Sequence, residues 1–144
     1  MCTVQKTADF FLSLVTDDAG DAISPMKLQK LLYYSQGFAL AILGRPLFEE
    51  DFEAWDYGPV VPVIYQKYKK YGNSAIPRVD LPGFEAYSSE EHNLLNDVWD
   101  SFGQYSAWAL SEMTHATPPW RDTPRNAVIT KESMREYFLT QVDK

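Results

Sequence analysis

Four groups of side chains in this 144-residue sequence have types and spacings that could do chemistry. Glu112-Met113-Thr114-His115 puts a carboxylate and an imidazole three residues apart, on one face if the segment is helical. A small hydrolase could use such a pair as a general acid and base. The simpler account is a histidine at a helix C-terminus, interacting with free carbonyls there. No nucleophile accompanies the pair, and the sequence has no G-x-S-x-G, phosphate loop or dinucleotide fingerprint. The simpler account is preferred on that ground, and no catalytic residue is assigned.

Lys27 and Lys30 are neighbours at i, i+3 in the early turns of a second helix. Cations there oppose the helix dipole, so they need partners. The partners could be the acids of the preceding loop, Asp17, Asp18 or Asp21, or an acidic group on another molecule. Trp55-Asp56-Tyr57-Gly58-Pro59 sets two rings beside a fixed turn. Rings so placed either lid the core or anchor a protein partner, since Trp and Tyr are over-represented at binding hot spots. Tyr105, Trp108 and Trp120 pose the same alternative. Cys2 lies at a terminus expected to fray, with only Lys6 nearby to lower its pKa, and is not assigned to catalysis.

The composition bounds what can position these groups. The length suits one domain, residues 1–144, with a core large enough to need no staples. Aromatics reach 15%, with 9 Tyr and 4 Trp, which argues against disorder. One cysteine excludes an internal disulfide and fits a reducing cytosol. Two His and one Cys would leave a zinc site mostly carboxylate, so neither metal nor cofactor is expected. No apolar run approaches the roughly 20 residues needed to span a bilayer. Met1–Phe11 lacks the pattern of a secretory signal, so a cytoplasmic chain without membrane contact is expected. The net charge of -7 repels phosphate backbones and argues against a nucleic-acid partner. The basic group Lys67, Lys69 and Lys70 is explained by the end of a helix.

Punctuation predicts about six helices around a central one, with at most a minor β element. The first helix runs from Val4 to Asp17, with Val4, Ala8, Phe11, Leu12 and Val15 on one stripe. Ser24 caps the second, Pro25 opens it, and Gly44 follows its end near residue 43. Leu28, Leu31, Leu32, Ser35, Ala39 and Ile42 form its buried stripe. Its few charges mark it as the central helix. Phe52–Trp55 reads as a short extended segment. A third helix starts near Pro59, tolerates Pro62 in its first turn and stops at Gly72. Asn73 to Tyr87 reads as a loop. Ser88 and Glu91 form a capping box for a fourth helix ending at Gly103. Ser106 caps a fifth through Met113, Pro118-Pro119-Trp120 is a rigid corner, and Thr130 caps a last helix over 131–140.

Three motifs together carry a resemblance. They are Lys27-Leu28-Gln29-Lys30-Leu31-Leu32-Tyr33-Tyr34 with Gln36-Gly37, then Phe52-Glu53-Ala54-Trp55 with Tyr57-Gly58-Pro59-Val60-Val61-Pro62 and Tyr65. The third is Tyr105-Ser106-Ala107 through Leu110-Ser111, Thr114-His115 and Pro119-Trp120. In this order and spacing they resemble the Panacea-domain family of SocA-like antitoxins, which includes phage-associated GepA-type proteins. The resemblance implies a non-enzymatic antitoxin of a bacterial or prophage toxin–antitoxin pair that neutralises a cognate protein toxin by direct binding. It also implies a second role, as an adaptor delivering the toxin to the ClpXP protease. Lys27, Lys30, Trp55, Tyr57, Tyr105, His115 and Trp120 are the candidate toxin-binding residues. The alternative is the small hydrolase that would use Glu112 and His115.

Overall fold

The computed structural model describes residues 3–15, 22–80 and 87–142. Cys2 and the acids Asp17, Asp18 and Asp21 lie outside them. Helix α2 (Pro25–Ile42) is the centre, and every residue from Lys27 to Gly37 is buried. The Ser24 side chain accepts from the Lys27 N–H and Pro25 holds the first turn, as the sequence predicts. A helix buried on all sides must satisfy its own polar side chains inside the protein. That requirement shapes everything packed around it.

Around α2 pack α1 (Val4–Ser13), α4 (Ser89–Phe102), α5 (Ala107–His115) and α7 (Lys131–Leu139). Ser88 and Glu91 make the expected capping box, and Ser106 and Thr130 cap α5 and α7. Helix α7 crosses α2 at Gly37, where a Cβ would overlap the Phe138 ring. Around this crossing Tyr34 stacks on Phe102 at 4.1 Å, and Phe138 meets Tyr33 and Phe38 edge-on. Leu31, Leu32, Leu95 and Phe138 are all fully buried. Thr117 donates to the Thr114 carbonyl, so the Tyr33 hydroxyl is the donor in its 2.8 Å bond to Thr117 Oγ1.

Several expectations need correction. Helix α1 stops at Ser13, short of Asp17. Ile42 is 56% exposed, because the last turn of α2 runs out beyond the helices that cover its middle. Helix α3 (Pro62–Tyr68) starts at Pro62, not near Pro59, and continues into a 3-10 turn, Lys69–Tyr71. Gly58–Val60 is instead strand β2, paired antiparallel with β1 (Phe52–Trp55) in the register Trp55↔Gly58 and Glu53↔Val60. Pro59 is tolerated because β2 is an edge strand. Strand β3 (Val128–Ile129), absent from the prediction, pairs with the other side of β1. Helix α5 reaches His115, and the Pro118 corner closes as a one-turn helix, α6 (Pro118–Arg121), giving seven α-helices among the described residues. The fold is mainly α, and among the described residues no helix is long and apolar enough to cross a membrane.

Candidate functional site

Two glutamines on α2 fix the small sheet to the central helix. Gln29 Oε1 accepts from the Val61 N–H at 2.9 Å, and its Nε2 donates to the Val61 carbonyl at 3.2 Å. Gln36, two turns later on the same face, binds the Leu47 N–H and the Phe48 carbonyl, both at 2.8 Å. Each amide pairs with backbone as a neighbouring strand would. The segment entering β1 and the one leaving β2 are thus tied to one rigid element.

Between these ties Lys30 runs under the hairpin. Its Nζ donates to the Pro59 carbonyl at 3.2 Å, and the side chain is 1% exposed. Burial holds the amine down to about 7. Gly58 makes the approach possible. Its φ is +121°, and a Cβ there would sit 2.8 to 2.9 Å from Lys30 Cε, Lys30 Nζ and Thr114 Oγ1. The Lys30 motif and the Tyr57-Gly58-Pro59 motif are therefore two halves of one contact.

The rings form a chain beside it. Trp55 meets Tyr65 edge-on at 4.9 Å and donates its indole N–H to Glu53 at 3.0 Å. The Trp120 indole donates to the Trp55 carbonyl at 2.8 Å. His115 stacks on Trp120 at 4.1 Å, and the Arg125 guanidinium lies 3.7 Å from the Trp120 ring centroid. His115 stands at the end of α5 as the sequence predicts. Yet its Nε2 is buried with no hydrogen-bond partner among the described residues, so ring stacking holds it in place of a bond to helix carbonyls. Glu112 is exposed, and no hydrogen bond joins it to His115.

Of the predicted residues, Lys30, Trp55 and Tyr57 line one cleft of about 250 Å³ together with Tyr65 and Lys69. His115 and Trp120 adjoin it through the Trp55 carbonyl. Lys27 and Tyr105 line a separate hollow, and Asn73 borders both. Lys27 Nζ donates to the Gly103 carbonyl at 2.5 Å and lies 5.7 Å from the Trp99 ring centroid. In both lysines a partner is the backbone carbonyl of a distant segment, and the acids of the preceding loop lie outside the described residues.

Two further residues complete the face: Tyr65, and Trp108, which the sequence leaves between core lid and partner anchor. Tyr65 walls the cleft. Trp108 is 66% exposed and lies one turn before Ser111, whose hydroxyl donates to the Tyr57 carbonyl at 2.6 Å. Tyr57 itself is 63% exposed. The signal for Trp108 was its spacing from Ser111, but that counts only once Ser111 is known to hold the hairpin turn.

Residues 28–121 match the model of a family described as antitoxin SocA-like, Panacea domain. The match takes in every residue of the face described above except Arg125. Antitoxin SocA of Caulobacter vibrioides (strain NA1000 / CB15N) is 38% identical over 109 residues, which are 68% of this chain and 58% of that protein. The chain thus spans less than two thirds of that relative's length. No solved structure matches.

Proposed function

The chain belongs to the SocA-like, Panacea-domain antitoxin family, and from that premise we propose that it neutralises a cognate protein toxin by direct binding. It would do so as the antitoxin of a bacterial or prophage toxin–antitoxin pair, in the cytoplasm, and without catalysis. The observation that carries the reading is the ring-rich face around the β1–β2 turn. Tyr57 and Trp108 stand out into solvent from elements pinned by Gln29, Lys30 and Ser111. Large rings held on rigid backbone lose little entropy on binding, which makes good anchors for a partner.

The hydrolase alternative gains nothing from the geometry. Glu112 points into solvent while His115 is stacked under Trp120, so the two do not act on a common proton. Direct binding and delivery to ClpXP differ in what the toxin's level does.

Co-expression with the toxin encoded beside the gene tests the reading. The native chain should restore growth, and Tyr57→Ala with Trp108→Ala should abolish protection while the variant stays folded. Unchanged toxin levels in cells lacking ClpXP, with protection intact, would mark neutralisation by binding alone. Protection that survives the double variant would remove this face from the interface.

A further inference from the structure

The cleft over Lys30 is out of keeping with the rest of the chain. The protein carries 20 acidic residues against 13 basic ones. Yet the residues lining this cleft include two lysines, Lys30 and Lys69, and no carboxylate. Gln29 is spent on Val61, and the walls are the rings of Trp55, Tyr57 and Tyr65. Of the acids on the hairpin, Glu53 is engaged by the Trp55 indole, and Asp56, in the turn between Trp55 and Tyr57, is exposed and does not line the cleft.

An ammonium has three hydrogens to donate. Lys30 places one on the Pro59 carbonyl and forms no ion pair among the described residues. A buried cation without a counter-charge is costly to a fold, and Lys30→Met would fill much the same space without that cost. From this geometry we infer that the cleft is a receptor for a carboxylate side chain, an Asp or Glu projecting from the surface of the protein partner. The aromatic walls would pack on the methylenes of the incoming side chain, and Lys69 at the rim would meet it first. A partner anchored on the exposed Tyr57 ring, which lines the cleft, would cover the cleft with continuous protein surface, which favours a side chain over a chain terminus. Burial now holds the Lys30 amine near neutrality, and a carboxylate would supply the missing charge.

This inference rests on the toxin-binding reading, and its test is separable from it. Three capped dipeptides serve as probes: acetyl-Glu-Leu-amide, acetyl-Gln-Leu-amide and acetyl-Gln-Leu with a free C-terminus. Binding is read from the Trp55 indole N–H resonance of the full chain. The Glu probe should shift it saturably, and the neutral probe should bind at least about tenfold more weakly. Lys30→Met should lose the difference between the two. Lys69→Met, at an exposed position where folding is not at stake, should weaken the Glu probe by about threefold. Equal binding of the Glu and neutral probes, or a difference that survives Lys30→Met in a folded variant, would overturn the carboxylate site. Equal or tighter binding of the free C-terminus would overturn the assignment to a side chain. Native chain that protects cells yet ignores the Glu probe sinks this inference alone, whereas native chain that fails to protect sinks the toxin-binding reading whatever the probes do.

Discussion

Lys27 and Lys30 leave the same helix one turn apart, and both are buried, yet they enter unlike surroundings. Lys27 meets the Gly103 carbonyl, at the C-terminal end of α4, with the Trp99 ring alongside. A helix ends there with carbonyls unpaired and the negative pole of its dipole exposed, so the cation completes the helix. Lys30 meets one carbonyl of an edge strand, which has no such pole, and opens on a cleft. The same side chain is thus a strut at one place and a candidate receptor at the other. What decides between the roles is the segment delivered to each by distant parts of the chain.

The largest expected effect bears on the space Lys30 occupies. Gly58→Ala combines a left-handed φ, costing about 1–3 kcal/mol, with overlap against Lys30 and Thr114, costing about 1–3 kcal/mol more. Urea unfolding should show the sum, and Lys30→Ala in the same chain should recover the part of the overlap that falls on Lys30, leaving the part on Thr114. An additive double variant would mean that Lys30 and Gly58 are not in contact.

The next effect separates the two lysines. Lys27→Met removes a charge-assisted bond to a helix end and should cost about 1.5–3 kcal/mol. Lys30→Met should cost less than about 1 kcal/mol or stabilise the fold, because the charge it removes is poorly compensated. Equal losses would erase the distinction.

A smaller effect follows from titration. The Lys30 amine is lowered from 10.5 to about 7 by burial. Between those values the unfolded chain holds more protons at this residue than the folded one, so stability rises with pH. The slope is at most about 1.4 kcal/mol per pH unit. Above about pH 10 the direction reverses, because burial raises Tyr33 and Tyr34, and the unfolded chain then loses protons the folded one keeps. Chemical melts from pH 7 to 10 should climb for the native chain and stay flat for Lys30→Met.

How far the sequence carried this picture depended on the range of each interaction. The caps at Ser24, Ser88, Ser106 and Thr130 were legible because a cap is decided within four residues. The central place of α2 was legible because it is long and carries few charges beyond its first turns. Gly58-Pro59-Val60 was misread as a helix start, since Pro suits a first turn and strand pairing depends on residues elsewhere. Lys27 finds the Gly103 carbonyl 76 positions away, beyond anything local spacing could point to. The face itself was half legible. Trp55, Tyr57 and Trp120 stood out as rings near turns, while Trp108 needed the Ser111–Tyr57 contact to bring it alongside.

The central claim, neutralisation by binding, is tested most directly by titrating the purified toxin with the purified chain while toxin activity is followed and no protease is present. The account predicts inhibition that rises linearly and stops at a fixed molar ratio, with Tyr57→Ala and Trp108→Ala each raising the dissociation constant by about thirtyfold, or 2 kcal/mol. Complete inhibition by a small sub-stoichiometric amount of the chain would contradict it, since only an enzyme turns over its target.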